Sequence, residues 1–163
     1  MAKAGNGYSP EDYERLVKGE ITLRELEGVS LEDYAGIAQV GHTLLDQGKV
    51  DQARTVYEGL RAMDPNHAYV RATLGAIYMR ENRDIDALEQ LNEALRLEPD
   101  SEYALVNRGE ILLKGGFLAE AGRDFKRCIE LDPNGKSPAA MRARALVMVV
   151  KDMLDNAAKQ ATA

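Results

Sequence analysis

Three stretches decide the fold: "RAMDPNHAYV" (Arg61–Val70), "LRLEPDSEYA" (Leu95–Ala104) and "CIELDPNGKS" (Cys128–Ser137). In each, a run with helical spacing stops at an acid–proline step and then restarts. The prolines are Pro65, Pro99 and Pro133, each 34 residues after the last. Proline lacks an N–H and disfavours helix in the residue before it, so each step ends a helix. Breaks on so fixed a schedule indicate an internal repeat.

Units drawn from Tyr34, Ala68 and Glu102 (34–67, 68–101, 102–135) align column by column. Seventh and eighth residues are Val40-Gly41, Leu74-Gly75 and Arg108-Gly109. Eleventh residues are Leu44, Tyr78 and Leu112. Twentieth residues are Ala53, Ala87 and Ala121, and twenty-fourth residues are Tyr57, Leu91 and Phe125. Leu60, Ala94 and Cys128 follow three residues later. This pattern resembles the tetratricopeptide repeat, a helix pair with small residues where its two helices cross. The resemblance implies an all-α fold: an α-solenoid of three helix pairs with a concave side. Between paired helices, Gly48, Asn82 and Gly115 or Gly116 suit the left-handed residue that ends a helix. Arg108 departs from the pattern, and it is expected to lie at a looser contact or to direct its head outward.

The flanks also read as helix. "SPED" at Ser9 and "TLRE" at Thr22 are capping patterns and predict short helices over about 10–18 and 22–28. They belong to an N-terminal extension, 1–33, whose Gly5 and Gly7 suggest a frayed start. Residues 136–163 predict a capping helix, with Ser137 as cap and Pro138 in its first turn. Its stripe of Ala139, Ala143, Leu146, Val147, Val150 and Leu154 should cover the third repeat. The tail "AAKQATA" is expected to be loose.

Composition removes several functions. A net charge of −6 argues against nucleic acid as a partner. Five Lys/Arg against two Asp from Lys136 onward are too sparse for a polybasic membrane signal. No run approaches the roughly 20 apolar residues of a membrane span, and no secretory leader is expected. A single cysteine, Cys128, fits a reducing cytoplasm. His42 and His67 lack metal spacing, Cys128 reads as core, and the acids read as solvated faces without an acid–base pair. No catalytic, cofactor or metal site is expected, and the chain reads as a non-enzyme.

Function should lie in the groove. In this repeat family the inward positions are the second, fifth, ninth and twelfth of each unit. Here they are Ala35, Ala38, His42 and Leu45; Tyr69, Ala72, Ala76 and Met79; Tyr103, Val106, Glu110 and Leu113. A mostly apolar stripe with two equivalent tyrosines predicts a site for an extended apolar peptide. The alternative is that these residues only pack on the flanking helices. Many relatives clamp the C-terminal carboxylate of a heat-shock chaperone with Lys and Asn. Ala38 and His42 stand in those places, so carboxylate capture is not expected.

"LVKGEITLRELEGVSLEDYAGIAQVGHTLLDQGKVDQARTVYEGLRAMDP" places an N-terminal helix, a cap and the first repeat in succession. That layout is similar to the class II type III secretion chaperones, which hold translocator proteins in the bacterial cytoplasm. The resemblance implies a groove for an extended, proline-spaced segment of a translocator and dimerisation through the N-terminal region. Surplus apolar surface also favours a homodimer: Tyr13, Leu16, Val17 and Leu23 at one end, and Met141, Ala145, Met148 and Val149 at the other. An assembly scaffold in an envelope or motility complex, or an accessory docking subunit of an enzyme, are the other readings.

Overall fold

The computed structural model describes residues 7–161. Nine helices follow one another among them, with no strand: α1 (Pro10–Val17), α2 (Leu23–Leu26), α3 (Leu31–Asp46), α4 (Val50–Met63), α5 (Ala68–Arg80), α6 (Asp84–Leu97), α7 (Glu102–Lys114), α8 (Leu118–Leu131) and α9 (Pro138–Ala161). The fold is all-α, built of three helix pairs between short N-terminal helices and a C-terminal helix. The chain divides into two compact units, one through Asn66 and one from His67.

Every pair turns in the same way. Helices α3, α5 and α7 end on Gly48 (φ 73°), Asn82 (φ 58°) and Gly116 (φ 81°), all left-handed. The amides of Lys49, Arg83 and Phe117 then reach back to the carbonyls of Leu44, Tyr78 and Leu112 at 2.8–2.9 Å. This satisfies carbonyls that would otherwise lack a partner at the helix end. The second helix of each pair stops on Asp64, Glu98 or Asp132, each turned out of the helical region in the residue before a proline.

Within each pair the crossing is close because glycine faces a large side chain. A Cβ on Gly41 would lie 2.6 Å from Tyr57, on Gly75 2.6 Å from Leu91, and on Gly109 2.5 Å from Phe125. Beside these contacts Ala53, Ala87 and Ala121 are fully buried. The small columns of the repeat are thus clearances of one methyl group.

In the first unit, α1 and α2 open with the two expected capping boxes at Ser9 and Thr22. Helix α2 packs on α4 through a partly buried ion pair, Arg24 Nε to Asp64 Oδ2 at 3.2 Å. Asp64 also accepts from the Asn66 amide, which fixes the turn after Pro65. The buried Tyr34 hydroxyl donates to the Leu60 carbonyl at 2.9 Å, tying α3 to α4. In the second unit, α5 pairs with α6 and α7 with α8, α6 packs on α7, and α9 lies on α8 and α7.

Four expectations change. Arg108 does not point outward: its guanidinium grips the buried Asp124 at 2.7 Å through both Nε and Nη2. The acids are correspondingly not all solvated, since Asp64 and Asp124 are buried against arginines. Leu154 does not cover the third repeat. Ala139, Ala140, Ala143 and Val150 are buried and Leu146 and Val147 half-buried, while Leu154 is 47% exposed. The tail is helical through Ala161, with residues 162–163 outside the described range, as is Gly5.

Two glycine substitutions should move stability in opposite directions. Gly109→Ala drives a methyl into the buried Phe125 ring and should lower stability by about 1–3 kcal/mol. Gly36, inside α3, has nothing within 4 Å of the place a Cβ would take, so Gly36→Ala should raise it by up to about 1 kcal/mol. Urea midpoints at a common m-value decide both. A second expectation concerns alkali. Burial first, then the Asp64 charge, pushes the Tyr34 phenol up to about 12 from 10. Its neutral form is favoured by folding, so its contribution is complete below pH 10 and is lost as pH rises through 12. Alkaline unfolding curves of wild type and Tyr34→Phe should therefore converge over that interval.

Candidate peptide-binding surface

The face of interest in the second unit is carried by α5 and α7, the first helices of neighbouring pairs. Tyr69 and Tyr103 occupy equivalent places one residue inside each helix. They are 45% and 55% exposed. A buried residue follows each of them, Val70 and Ala104, so the helix is anchored and the ring is turned out. Further along, Ala76, Met79 and Leu113 are half-buried. The fifth-position residues are not open: Ala72 is 8% exposed and Val106 is fully buried. The surface is therefore a shallow apolar track with a packed floor and aromatic rims.

Its polar margin involves α9. Arg142 bonds the Glu110 carboxylate and donates to Asn107 Oδ1 at 3.4 Å. Glu110, the charged member of the predicted track, is thereby partly neutralised. Sequence reasoning does not reach Arg142 or Asn107. The loop before α9 is two residues longer than the others, since the helix-capping residues run His67, Ser101, Ser137. A strict 34-residue step therefore misplaces the α9 register. The Ser137–Pro138 cap signal is what corrects it.

In the first unit the corresponding residues sit on α3. Ala38 is buried, Ala35 is exposed, and His42 and Leu45 are half-buried. The His42 ring stands edge-on to Tyr57, centroids 6.0 Å apart. Of the residues named as dimer contacts, Tyr13, Val17, Met141, Met148 and Val149 are exposed, while Leu16 and Leu23 are half-buried.

A depression of about 500 Å³ lies between α6, α7 and α8, lined by Leu88, Asn92, Arg108, Leu112, Glu120, Arg123 and Asp124. Arg108 fills its wall by bonding Asp124 and, at 3.0 Å, Asn92 Oδ1. Both charges are matched there, so the site is a structural tie. Cys128 is fully buried, and its thiol is pushed up to about 11 by burial first and then by Glu102 and Asp132. A thiol so held is protonated at neutral pH and is a poor nucleophile. Among the described residues no cluster of His, Cys, Asp and Glu could hold a metal, and no helix is long and apolar enough to cross a membrane.

Comparison with known proteins agrees with this geometry. Two family models described as tetratricopeptide repeat match residues 44–109 and 85–136, together more than half of the chain. The chain belongs to the tetratricopeptide-repeat family. Over 96 residues it is 28% identical to DnaJ homolog subfamily C member 3 of Rattus norvegicus, which is 59% of this chain but 19% of that protein. The chain thus spans about a fifth of that curated relative. A type III secretion complex from Aeromonas hydrophila superposes with a TM-score of 0.77 at 23% identity, covering 89% of this chain and 98% of that one. The Yersinia enterocolitica type III secretion chaperone SycD, bound to a peptide of the translocator YopD, gives 0.68 at 19% identity, covering 76% and 95%. The first repeat domain of Spaghetti (RPAP3), bound to the HSP90 peptide SRMEEVD, gives 0.69 at 24% identity, covering 78% and 97%.

The Arg108–Asp124 tie has a measurable consequence. Arg108→Ala leaves the Asp124 carboxylate buried without its cation and should cost about 3 kcal/mol. Arg108→Leu with Asp124→Leu removes both charges and should recover most of that loss. Urea unfolding of Arg108→Leu, Asp124→Leu and the double variant completes the cycle.

Proposed function

We propose that the protein is a cytoplasmic, non-catalytic chaperone that holds an extended apolar segment of a secreted, translocator-type protein along the track on α5 and α7. The observation that carries this reading is the pair of exposed tyrosines, Tyr69 and Tyr103, above half-buried Ala76, Met79 and Leu113. Aromatic surface left in water on equivalent positions of neighbouring helices is stabilised by cover. The likeness to a chaperone bound to a translocator peptide supports the same reading. Carboxylate capture, which the neighbour bound to an HSP90 peptide makes the rival, is disfavoured by the side chains. Ala72 with Ala76, and Val106 with Glu110, offer neither a cation nor an amide at those positions, and Arg142 at the margin is already paired with Glu110.

The reading includes a homodimer. Tyr13 and Val17 on α1, and Met141 and Met148 on α9, lie in water on short or terminal helices. Burying such side chains against a second copy is the simplest way to cover them.

Peptide binding tests the groove. Each anchoring side chain contributes about 1.5–3 kcal/mol on burial, much of it offset by ordering the peptide. A proline-spaced apolar peptide should therefore bind with a Kd of about micromolar, measured by fluorescence anisotropy. Tyr69→Glu with Tyr103→Glu should weaken binding at least about tenfold, equivalent to about 1.4 kcal/mol. Both residues are exposed, so the thermal melt should not move. Ala72→Glu is a poorer probe, because a buried charge at an 8%-exposed position threatens the fold itself. Binding of SRMEEVD with no binding of the apolar peptide would overturn the proposal in favour of carboxylate capture.

A further inference from the structure

Helix α9 begins where the first helix of a further pair would begin, and it keeps that helix's pattern. Allowing for the two extra residues before Ser137, the places of Leu105, Arg108, Gly109 and Leu112 in α7 are taken by Met141, Arg144, Ala145 and Met148 in α9. In α7 this face is covered by α8. Leu105 is 4% exposed, Gly109 backs the Phe125 ring, and Arg108 bonds Asp124. In α9 the same face carries no helix of its own unit among the described residues. Met141 and Met148 are more than half exposed, and Ala145 is exposed between them.

Helix α8 shows what such a face accepts: a small residue, then an acid and a ring, then an apolar residue, at Ala121, Asp124, Phe125 and Cys128. Counted from its N-cap, helix α1 repeats that spacing as Ser9, Asp12, Tyr13 and Leu16, the first two also forming its capping box. It buries no residue of its own, and its Tyr13 lies in water. Charge also matches. Helix α1 carries three acids against one arginine, and the first turns of α9 carry no acid. Arg142 there is paired with Glu110, which leaves Arg144, bonded only to the backbone carbonyls of Asp132 and Pro133, as the cation without a carboxylate bonded to it.

We propose that α1 of a second copy lies antiparallel on the outer face of α9 and takes the place of a missing second helix. Tyr13 of one copy lies over Ala145 of the other, at a wider crossing than that of Phe125 on Gly109 because Ala145 carries a methyl group. Asp12 approaches Arg144, and Leu16 lies against Met141. The proposal rests on the homodimer reading above and names its two faces. A two-turn contact is small beside the roughly 1,000 Å² that a specific interface needs, so a symmetric dimer makes it twice.

Cross-linking between full-length chains tests the pairing. One chain carries Tyr13→Cys and the other, distinguishable by mass, carries Ala145→Cys. Both positions are exposed, and the native Cys128 is buried, so a short bis-maleimide reads only the new thiols. The expected result is a linked pair containing one chain of each kind, in large excess over either chain linked to itself. Light scattering on the wild type is run in parallel. A dimer whose Ala145→Cys chains link only to each other would overturn the α1–α9 pairing while leaving the homodimer intact. A monomer mass across the micromolar range would remove both. Met148→Lys should weaken the dimer at least about tenfold. An unchanged dissociation curve for that variant also overturns the proposal.

Discussion

The contact of a glycine with a large buried side chain is the constraint from which the structure follows. Gly41 against Tyr57, Gly75 against Leu91 and Gly109 against Phe125 set how near two helices of a pair can come. A close crossing in turn places the twentieth-position alanines in full burial. The backbone side of this contact is constant, while its partner is a phenol, an isobutyl group or a phenyl ring. The clearance, more than the identity of the filling group, is what the repeat conserves within this chain.

The joints are the second determinant. A left-handed residue closes one helix and a proline ends the next, so loop length is nearly invariant. Where it does vary, before α9, polar chemistry secures the joint. Ser137 accepts from the Ala140 amide, Asp132 accepts from the Ser137 amide, and Arg144 donates to the carbonyls of Asp132 and Pro133 at 2.9 and 2.7 Å. Backbone and side-chain hydrogen bonds here support an irregular turn that the 34-residue schedule does not specify.

Helix breaks and small-residue columns were legible in the sequence because each has one physical meaning: proline ends a helix, and glycine inside a helix at a fixed register signals a near neighbour. The exposed tyrosines were legible for a similar reason, since position along a repeated helix fixes the face. What escaped was pairing across helices. Arg108 reads as an outlier in its column until Asp124, sixteen residues later, is seen beside it. Arg24 and Asp64 are forty residues apart and belong to no repeat column. The burial of Ala72 and Val106 likewise depends on how neighbouring helices seat, which periodicity does not report. Arg142 was hidden by the lengthened joint alone.

Helix α9 has one consequence in the time domain. Its 24 residues extend roughly 36 Å at 1.5 Å per residue, well beyond the 14 residues of α8 on which it lies. Val150 is the last buried side chain among its described residues, and residues 151–157 are exposed. Helix in that overhang is held by local propensity and not by a core. Its amide protons should trade with solvent through fraying on the microsecond scale of helix–coil motion, while those under Ala139 and Ala143 wait for the unit itself to open. One continuous helix thus carries two lifetimes, with the boundary drawn at Val150.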